Sequence, residues 1–286
     1  MTVSSLDLQY FVTAIRNHSS YDFSEYSDKS LKRRLAKVLV DNKLDLQGLI
    51  LQMKNNQNFL EQIVKDITVN TTELFRDPQI WQYLKYVLIP KIKHQPTLNI
   101  WHAGCSSGQE VYSLMMVLNE LNLLEKSRIY ASDINIDMLN MAKRGAYRYR
   151  FNISYLDNFD KALKENPFNY DEYIDIPYNK YLEIDKEKDI IRMNPFLIEK
   201  PTYKKHDLVK DPNVFFVKFD LIVCRNVIIY FNYDLQNKVF DLFYNNLYTN
   251  GFLWLGMHES ILGPFASKFE KNGHFYQKKE NSFFSA

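Results

Sequence analysis

From residue 98 onward the chain alternates short apolar runs with longer amphipathic stretches, and this alternation limits the possible folds more than any other feature. Residues 98–103, 127–132, 219–224 and 252–255 are short and apolar enough to be buried strands. Residues 110–121, 136–144 and 233–247 carry apolar side chains at helical spacing. Strands that are apolar along their whole length need cover on both faces, which is the situation in a parallel sheet flanked by helices. The expected class is α/β.

The chain ahead of this region reads differently. Residues 1 to about 68 show helical spacing and no strand-like alternation: Leu6, Tyr10, Phe11 and Ile15 in one stretch, then Leu31, Leu35, Val38 and Leu39 within 27–41, then two further helices near 45–54 and 58–68. Residues 69–76 are polar and irregular. Asp77 is expected to cap a helix that Pro78 opens and Pro90 stops. The expected organisation is a helical domain over 1–68, a linker segment with its connecting helix over 69–96, and the α/β domain over 97–286. One stretch, about 169–207, breaks the alternation. It is rich in Tyr, Ile, Asp and Lys, and 181–184, a charged turn at 185–188 and 190–193 read as a hairpin. It is expected to form a small antiparallel subdomain inserted into the sheet domain.

With 286 residues, 46% of them hydrophobic, the chain can bury a full core. Its 36 Lys and Arg against 34 Asp and Glu give a net charge of +2, which argues against a nucleic-acid binder. Cys105 and Cys224 form no CxxC pair, so neither a disulfide framework nor a metal site is expected. The N-terminus lacks the basic start and apolar run of a signal peptide, and no apolar run reaches the length of a membrane span. The expectation is a protein of the cytoplasm, not embedded in a membrane.

The turn Ala103-Gly104-Cys105-Ser106-Ser107-Gly108 joins a strand to a helix. Glycines there allow close backbone approach, and open α/β sheets bind nucleotide-like ligands at the carboxyl ends of their strands. Asp133 ends the next strand, where a carboxylate can accept both hydroxyls of an adenosine ribose; it could equally cap the following helix. NAD and S-adenosylmethionine both fit this pair.

Longer blocks separate the two. Asn70-Thr71-Thr72-Glu73-Leu74-Phe75-Arg76-Asp77, Trp101 to Ser113 around the glycine turn, Ala131-Ser132-Asp133-Ile134, Cys224-Arg225-Asn226-Val227-Ile228-Ile229-Tyr230-Phe231 and Gly256-Met257-His258-Glu259-Ser260 together resemble the chemotaxis-receptor glutamate O-methyltransferases, the CheR type. The resemblance covers nearly the whole chain. It implies an N-terminal helical domain plus a doubly wound, Rossmann-like methyltransferase domain with an inserted small antiparallel β-subdomain, and S-adenosyl-L-methionine as cofactor with S-adenosyl-L-homocysteine as product. Carried over residue by residue, it implies that Asn70, Thr72 and Arg76 contact the cofactor from the linker. Gly104 lies in the cofactor turn. Glu110 and Asp133 hold the amino and ribose groups, and Asp207, Leu208, Arg225 and Asn226 frame the adenine and methionine parts.

The implied reaction is methyl transfer to glutamate side chains of methyl-accepting chemotaxis receptors. A glutamate is already ionised at neutral pH, so positioning matters more than a general base. Tyr230 is the expected catalytic residue, its hydroxyl orienting the acceptor; the plainer reading is a core aromatic. Lys29, Lys32, Arg33, Arg34 and Lys37 lie in a stretch with no acid, and Lys29, Arg33 and Lys37 recur at i, i+4, i+8. Such a stripe is often only a solvated face. Here it is expected to steer the acidic helices of a receptor's cytoplasmic part, the implied partner of a monomeric enzyme. The hairpin turn 185–188 is short and lacks glycine, so tethering to a receptor tail is not expected. The alternatives are a non-catalytic S-adenosylmethionine sensor and a methyltransferase of this fold acting on another acidic substrate.

Overall fold

The computed structural model describes residues 3–19, 21–68 and 72–280. Its contacts divide the chain into two compact units, 1–69 with 227–239, and 70–226 with 240–286.

The first unit holds four helices: α1 (Ser5–His18), α2 (Asp28–Asn42), α3 (Leu46–Asn55) and α4 (Gln57–Ile67). Their starts follow from local chemistry. Ser4 and Asp7 form a reciprocal capping box on α1, Asp45 accepts from the Gly48 N–H at 2.8 Å, and Asn56 accepts from the Phe59 N–H at 3.1 Å. The apolar faces meet in a core that includes Phe11, Ile15, Leu35, Leu49, Leu60 and Ile63. Residues 227–239 pack with these helices although they lie far along the chain. The Ser27 N–H donates to the Tyr230 carbonyl at 2.8 Å, the Asn232 N–H donates to the Glu25 carbonyl at 2.9 Å, and Tyr26 meets Phe231 edge-on at 5.0 Å.

The second unit begins with α5 (Pro78–Tyr83), which runs through a π turn at Leu84–Leu88 into α6 (Ile89–Ile92). Pro90 therefore does not stop the helix. The Ile89 N–H bonds back five residues to the Leu84 carbonyl, and this widened turn lets a proline, which cannot donate, follow without breaking the rod. Then come β1 (Leu98–Ala103), α7 (Gln109–Glu120), β2 (Ser127–Asp133), α8 (Ile136–Arg144), β3 (Ala146–Arg148), α9 (Ser154–Phe159), β4 (Leu182–Asp185), β5 (Ile190–Met193), α10 (Pro195–Ile198), β6 (Thr202–Lys205) and β7 (Phe219–Cys224). The helix α11 (Tyr233–Asn246), whose first half belongs to the other unit, leads into β8 (Leu247–Leu255), β9 (Phe269–Asn272) and β10 (Phe275–Lys278).

Seven strands form one sheet in the order β6-β2-β1-β7-β8-β10-β9. The first five are parallel, and β10 and β9 are antiparallel. Both faces are covered. Ile100 of β1 belongs to the core shared with α5, α7 and α8, while its neighbour Trp101 packs against Phe243 of α11 at 5.5 Å. The closing hairpin β9–β10 was not read from the sequence. The small antiparallel sheet is real, in the order β3-β5-β4, but its limits differ from the expected 169–207. It draws its third strand from residues 146–148, and residues 202–205 inside the expected stretch join the main sheet beside β2. No helix among the described residues is long and apolar enough to cross a membrane.

Candidate functional site

The strand order reverses between β1 and β7, which places a switch point at the carboxyl ends of β1, β2 and β7, the position where open α/β sheets hold ligands. The glycine turn leaves β1 there. Gly104 and Gly108 have φ of +80° and +89°, and Ser106 between them has +51°. A Cβ on Gly108 would sit 2.7 Å from the Cβ of Ala142, so only glycine lets α7 start this close to α8. The Gly104 and Cys105 N–H groups both donate to the Ser132 carbonyl, at 2.8 and 2.9 Å, which ties the turn to β2.

Asp133 completes that tie. Its buried carboxylate accepts from the Ser106 N–H through one oxygen and from the Asn135 N–H through the other, each at 2.8 Å. Asn135, not Asp133, caps α8. Burial outweighs these hydrogen bonds and raises the Asp133 pKa above the ordinary carboxylate value. Burial pushes the Cys105 and Cys224 thiols far up as well, which favours the neutral thiol in both.

Glu110, in the first turn of α7, belongs to a second cluster. The fully buried Arg225 guanidinium donates to Glu110 at 3.0 Å, to Asp77 at 2.7 Å and to the Arg76 carbonyl at 3.2 Å, and lies over the Trp254 ring at 4.7 Å. His102 Nδ1 stands 3.5 Å from the other Glu110 oxygen, at the limit of a hydrogen bond, and neither ring nitrogen has a closer partner. Burial raises the Glu110 pKa, but His102 and Arg225 outweigh it and hold the carboxyl below its ordinary value. Asp77 does not cap α5 as expected. Its backbone is left-handed, with φ of +60°, its side chain makes no cap bond, and its carboxylate is drawn to Arg225 instead.

The other expected residues fall as follows. Arg76 donates to Glu73 at 2.7 Å and to the Asn226 side-chain oxygen at 3.3 Å. Asn226 is left-handed, with φ of +59°. Thr72 is half-buried and its carbonyl accepts from the Tyr155 hydroxyl at 3.3 Å. Asn70 lies outside the described residues. Asp207 and Leu208 follow β6 in a turn where Asp207 accepts from the Val209 N–H at 2.9 Å. A continuous path thus runs from Asp133 through the glycine turn to Glu110, Arg225, Arg76 and Asn226, all in the larger unit. Tyr230 belongs to the other unit, in a short 3-10 turn, and is half-buried, so it is no core aromatic. On α2, Lys29, Arg33 and Lys37 share an exposed face, while Lys32 and Arg34 are half-buried and Lys32 donates to Ser5 at 2.8 Å.

Sequence reasoning missed three features of these clusters: His102, the pairing of Asp77 with Arg225, and Glu259. The last accepts from the Asn226 and Gly256 N–H groups at 2.8 and 2.7 Å. Its only signal was a place in the closing block 256–260.

The glycine turn, the buried Asp133 and the partly buried Glu110 at the switch point fit a nucleoside with a cationic tail. Comparison with known proteins agrees. A family model described as the CheR methyltransferase SAM binding domain matches residues 70–275, and one for the CheR all-alpha domain matches residues 6–68. A Pseudomonas putida protein, Cher3, is 33% identical over 269 residues, covering 93% of each chain. A chemotaxis protein methyltransferase of Listeria innocua is 28% identical over 90% of this chain and 91% of its own. One from Borreliella burgdorferi is 27% identical over 92% and 91%. The chain belongs to the CheR methyltransferase family and takes S-adenosylmethionine as its cofactor.

Proposed function

We propose that this methyltransferase esterifies glutamate side chains of methyl-accepting chemotaxis receptors. The observation that supports it most is the joined set of Asp133, the glycine turn and Glu110 at the switch point, in a chain whose relatives carry the name chemotaxis protein methyltransferase. When bound, the cofactor supplies a methyl group on a sulfonium, ready for in-line displacement.

The chain's own residues then have separable tasks. Asp133 accepts the ribose hydroxyls with the lone pairs that Ser106 and Asn135 leave open. Glu110, held ionised by Arg225 and His102, meets the ammonium of the cofactor's tail. Arg225 spends its charge on Glu110 and Asp77, so its part is to hold Glu110 rather than to grip the cofactor. Thr72, Arg76, Asp207, Leu208 and Asn226 complete the surround. Tyr230 orients the acceptor carboxylate, which needs no base because it is ionised at neutral pH. The exposed Lys29, Arg33 and Lys37 face of α2 attracts the acidic helices of the receptor.

The test is a two-step one on the full chain. Calorimetry with S-adenosylhomocysteine should give one site per chain. Methyl groups from tritiated S-adenosylmethionine should then enter a receptor cytoplasmic fragment and be lost when its acceptor glutamates are changed to alanine. Cofactor binding without transfer to any receptor fragment would overturn this reading in favour of a sensor or of a methyltransferase acting on another acidic substrate.

A further inference from the structure

The parallel strands β7 and β8 lie side by side, with Cys224 opposite Leu255. The segments that leave them therefore start together at the carboxyl end of the sheet. Residues 225–226 follow β7 and Gly256 follows β8, and one side chain joins them. The Oε2 atom of Glu259 accepts from the Asn226 N–H at 2.8 Å and from the Gly256 N–H at 2.7 Å. Glu259 is 7% exposed, and its own N–H donates to the Gly256 carbonyl at 3.1 Å, which closes a tight turn around the shared oxygen.

The cradle is built for that carboxylate. A Cβ on Gly256 would meet Glu259 Oε2 at 2.7 Å, the Asn226 nitrogen at 2.9 Å and the Asn226 side-chain nitrogen at 3.2 Å, so any larger residue would push the three groups apart. Asn226 itself is left-handed, a conformation that asparagine tolerates better than most residues with a side chain. From there its side chain meets Arg76 at 3.3 Å, and its predecessor is Arg225, which anchors Glu110. Moving the Asn226 backbone would disturb both.

We infer that Glu259 is a positioning residue of the cofactor site, fixing the Arg225–Asn226 turn through two main-chain N–H groups without itself touching the cofactor. This rests on the reading of Asn226 as part of the cofactor's surround and of Arg225 as the anchor of Glu110. The chemistry favours a carboxylate in particular. A charged oxygen holds two N–H donors more strongly than a neutral one, and a carboxamide in its place keeps the shape but loses the charge.

The experiment is calorimetric titration of the full-length protein with S-adenosylhomocysteine, read for affinity and stoichiometry, on Glu259→Gln, Glu259→Ala and Asn226→Ala. The expected order of weakening is graded, roughly three- to tenfold for Glu259→Gln and more than about tenfold for Glu259→Ala, with stoichiometry near that of the wild type. A role confined to folding would lower the stoichiometry and leave the affinity of the folded fraction unchanged; that result overturns the inference. If Glu259→Ala does not fold, Glu259→Gln decides alone, and wild-type affinity in it refutes the role. If Asn226→Ala weakens binding while the Glu259 variants do not, the inference fails and the reading of the turn survives. If none of the three changes affinity, that reading fails and the inference with it.

Discussion

Asp133 serves two demands with one carboxylate. It closes the glycine turn through the Ser106 N–H, and it is the group proposed to accept the ribose hydroxyls. An asparagine there has one oxygen where two are used, so Asp133→Asn should weaken S-adenosylhomocysteine binding by about tenfold or more, measured by calorimetry. The raised pKa adds a pH signature. Binding needs the ionised form, so wild-type affinity should fall as the pH is lowered, from a higher pH than an unshifted aspartate would give, and the Asp133→Asn profile should lack that step. Stability runs the opposite way. A group whose folded pKa is raised stabilises fully below its unfolded pKa, and that contribution is lost as pH rises through the folded value. Asp133 therefore costs stability at neutral pH in return for a charge in the site. An Asp133→Asn affinity that tracks the wild type across pH would remove the residue from the site.

At the scale of elements, Arg225 joins three of them: the linker at 76–77, the first turn of α7 and the end of β7. Removing its charge would leave two poorly exposed carboxylates unpaired, so Arg225→Met should cost about 3–5 kcal/mol in chemical denaturation. Adding Asp77→Asn and Glu110→Gln should return a large part of that, because no buried charge then lacks a partner. A triple variant no more stable than Arg225→Met would show that packing on Trp254, not charge, is what matters. The approach of α7 to α8 gives a second case. Gly108→Ala combines a left-handed backbone with a Cβ placed 2.7 Å from that of Ala142, and should cost about 2–4 kcal/mol. Ala142→Gly in the same chain should relieve the contact and leave the backbone part.

These same elements mark how far the sequence could be read. The strands β1 and β7 were legible because they are short and mostly apolar, β2 because it keeps the strand–helix alternation despite its polar residues, and the four N-terminal helices because their apolar side chains recur at helical spacing. Local rules failed where a distant partner decided the outcome. Asp77 has the right position for an N-cap, yet Arg225, 148 residues away, takes its carboxylate. Pro90 has the signature of a helix stop, yet the π turn before it absorbs the misfit. Glu110 and Asp133 were legible because the family blocks and the strand ends point to them. Glu259 was not, because it recognises main-chain N–H groups, and a main-chain donor carries no residue type to read.

For the molecule as a whole, charge is nearly balanced, and what matters is where it is displayed. A net charge of +2 gives no long-range pull toward an acidic partner, so any steering must come from a local face. The first unit has one: Lys29, Arg33 and Lys37 stand exposed along α2, although Lys37 also reaches Asp41 at 2.9 Å in a pair whose two members are more than half exposed and which contributes little. Reversing Lys29 and Arg33 to glutamate should leave S-adenosylhomocysteine affinity unchanged, because the residues proposed to hold the cofactor belong to the other unit. Methylation of a receptor fragment should slow several-fold at low salt. The gap between variant and wild type should narrow as ionic strength rises toward about 0.5 M, where the screening length falls to a few ångströms. A deficit that is independent of salt would mean that the face makes specific contacts instead of steering. An unchanged rate at low salt would make it an ordinary solvated surface.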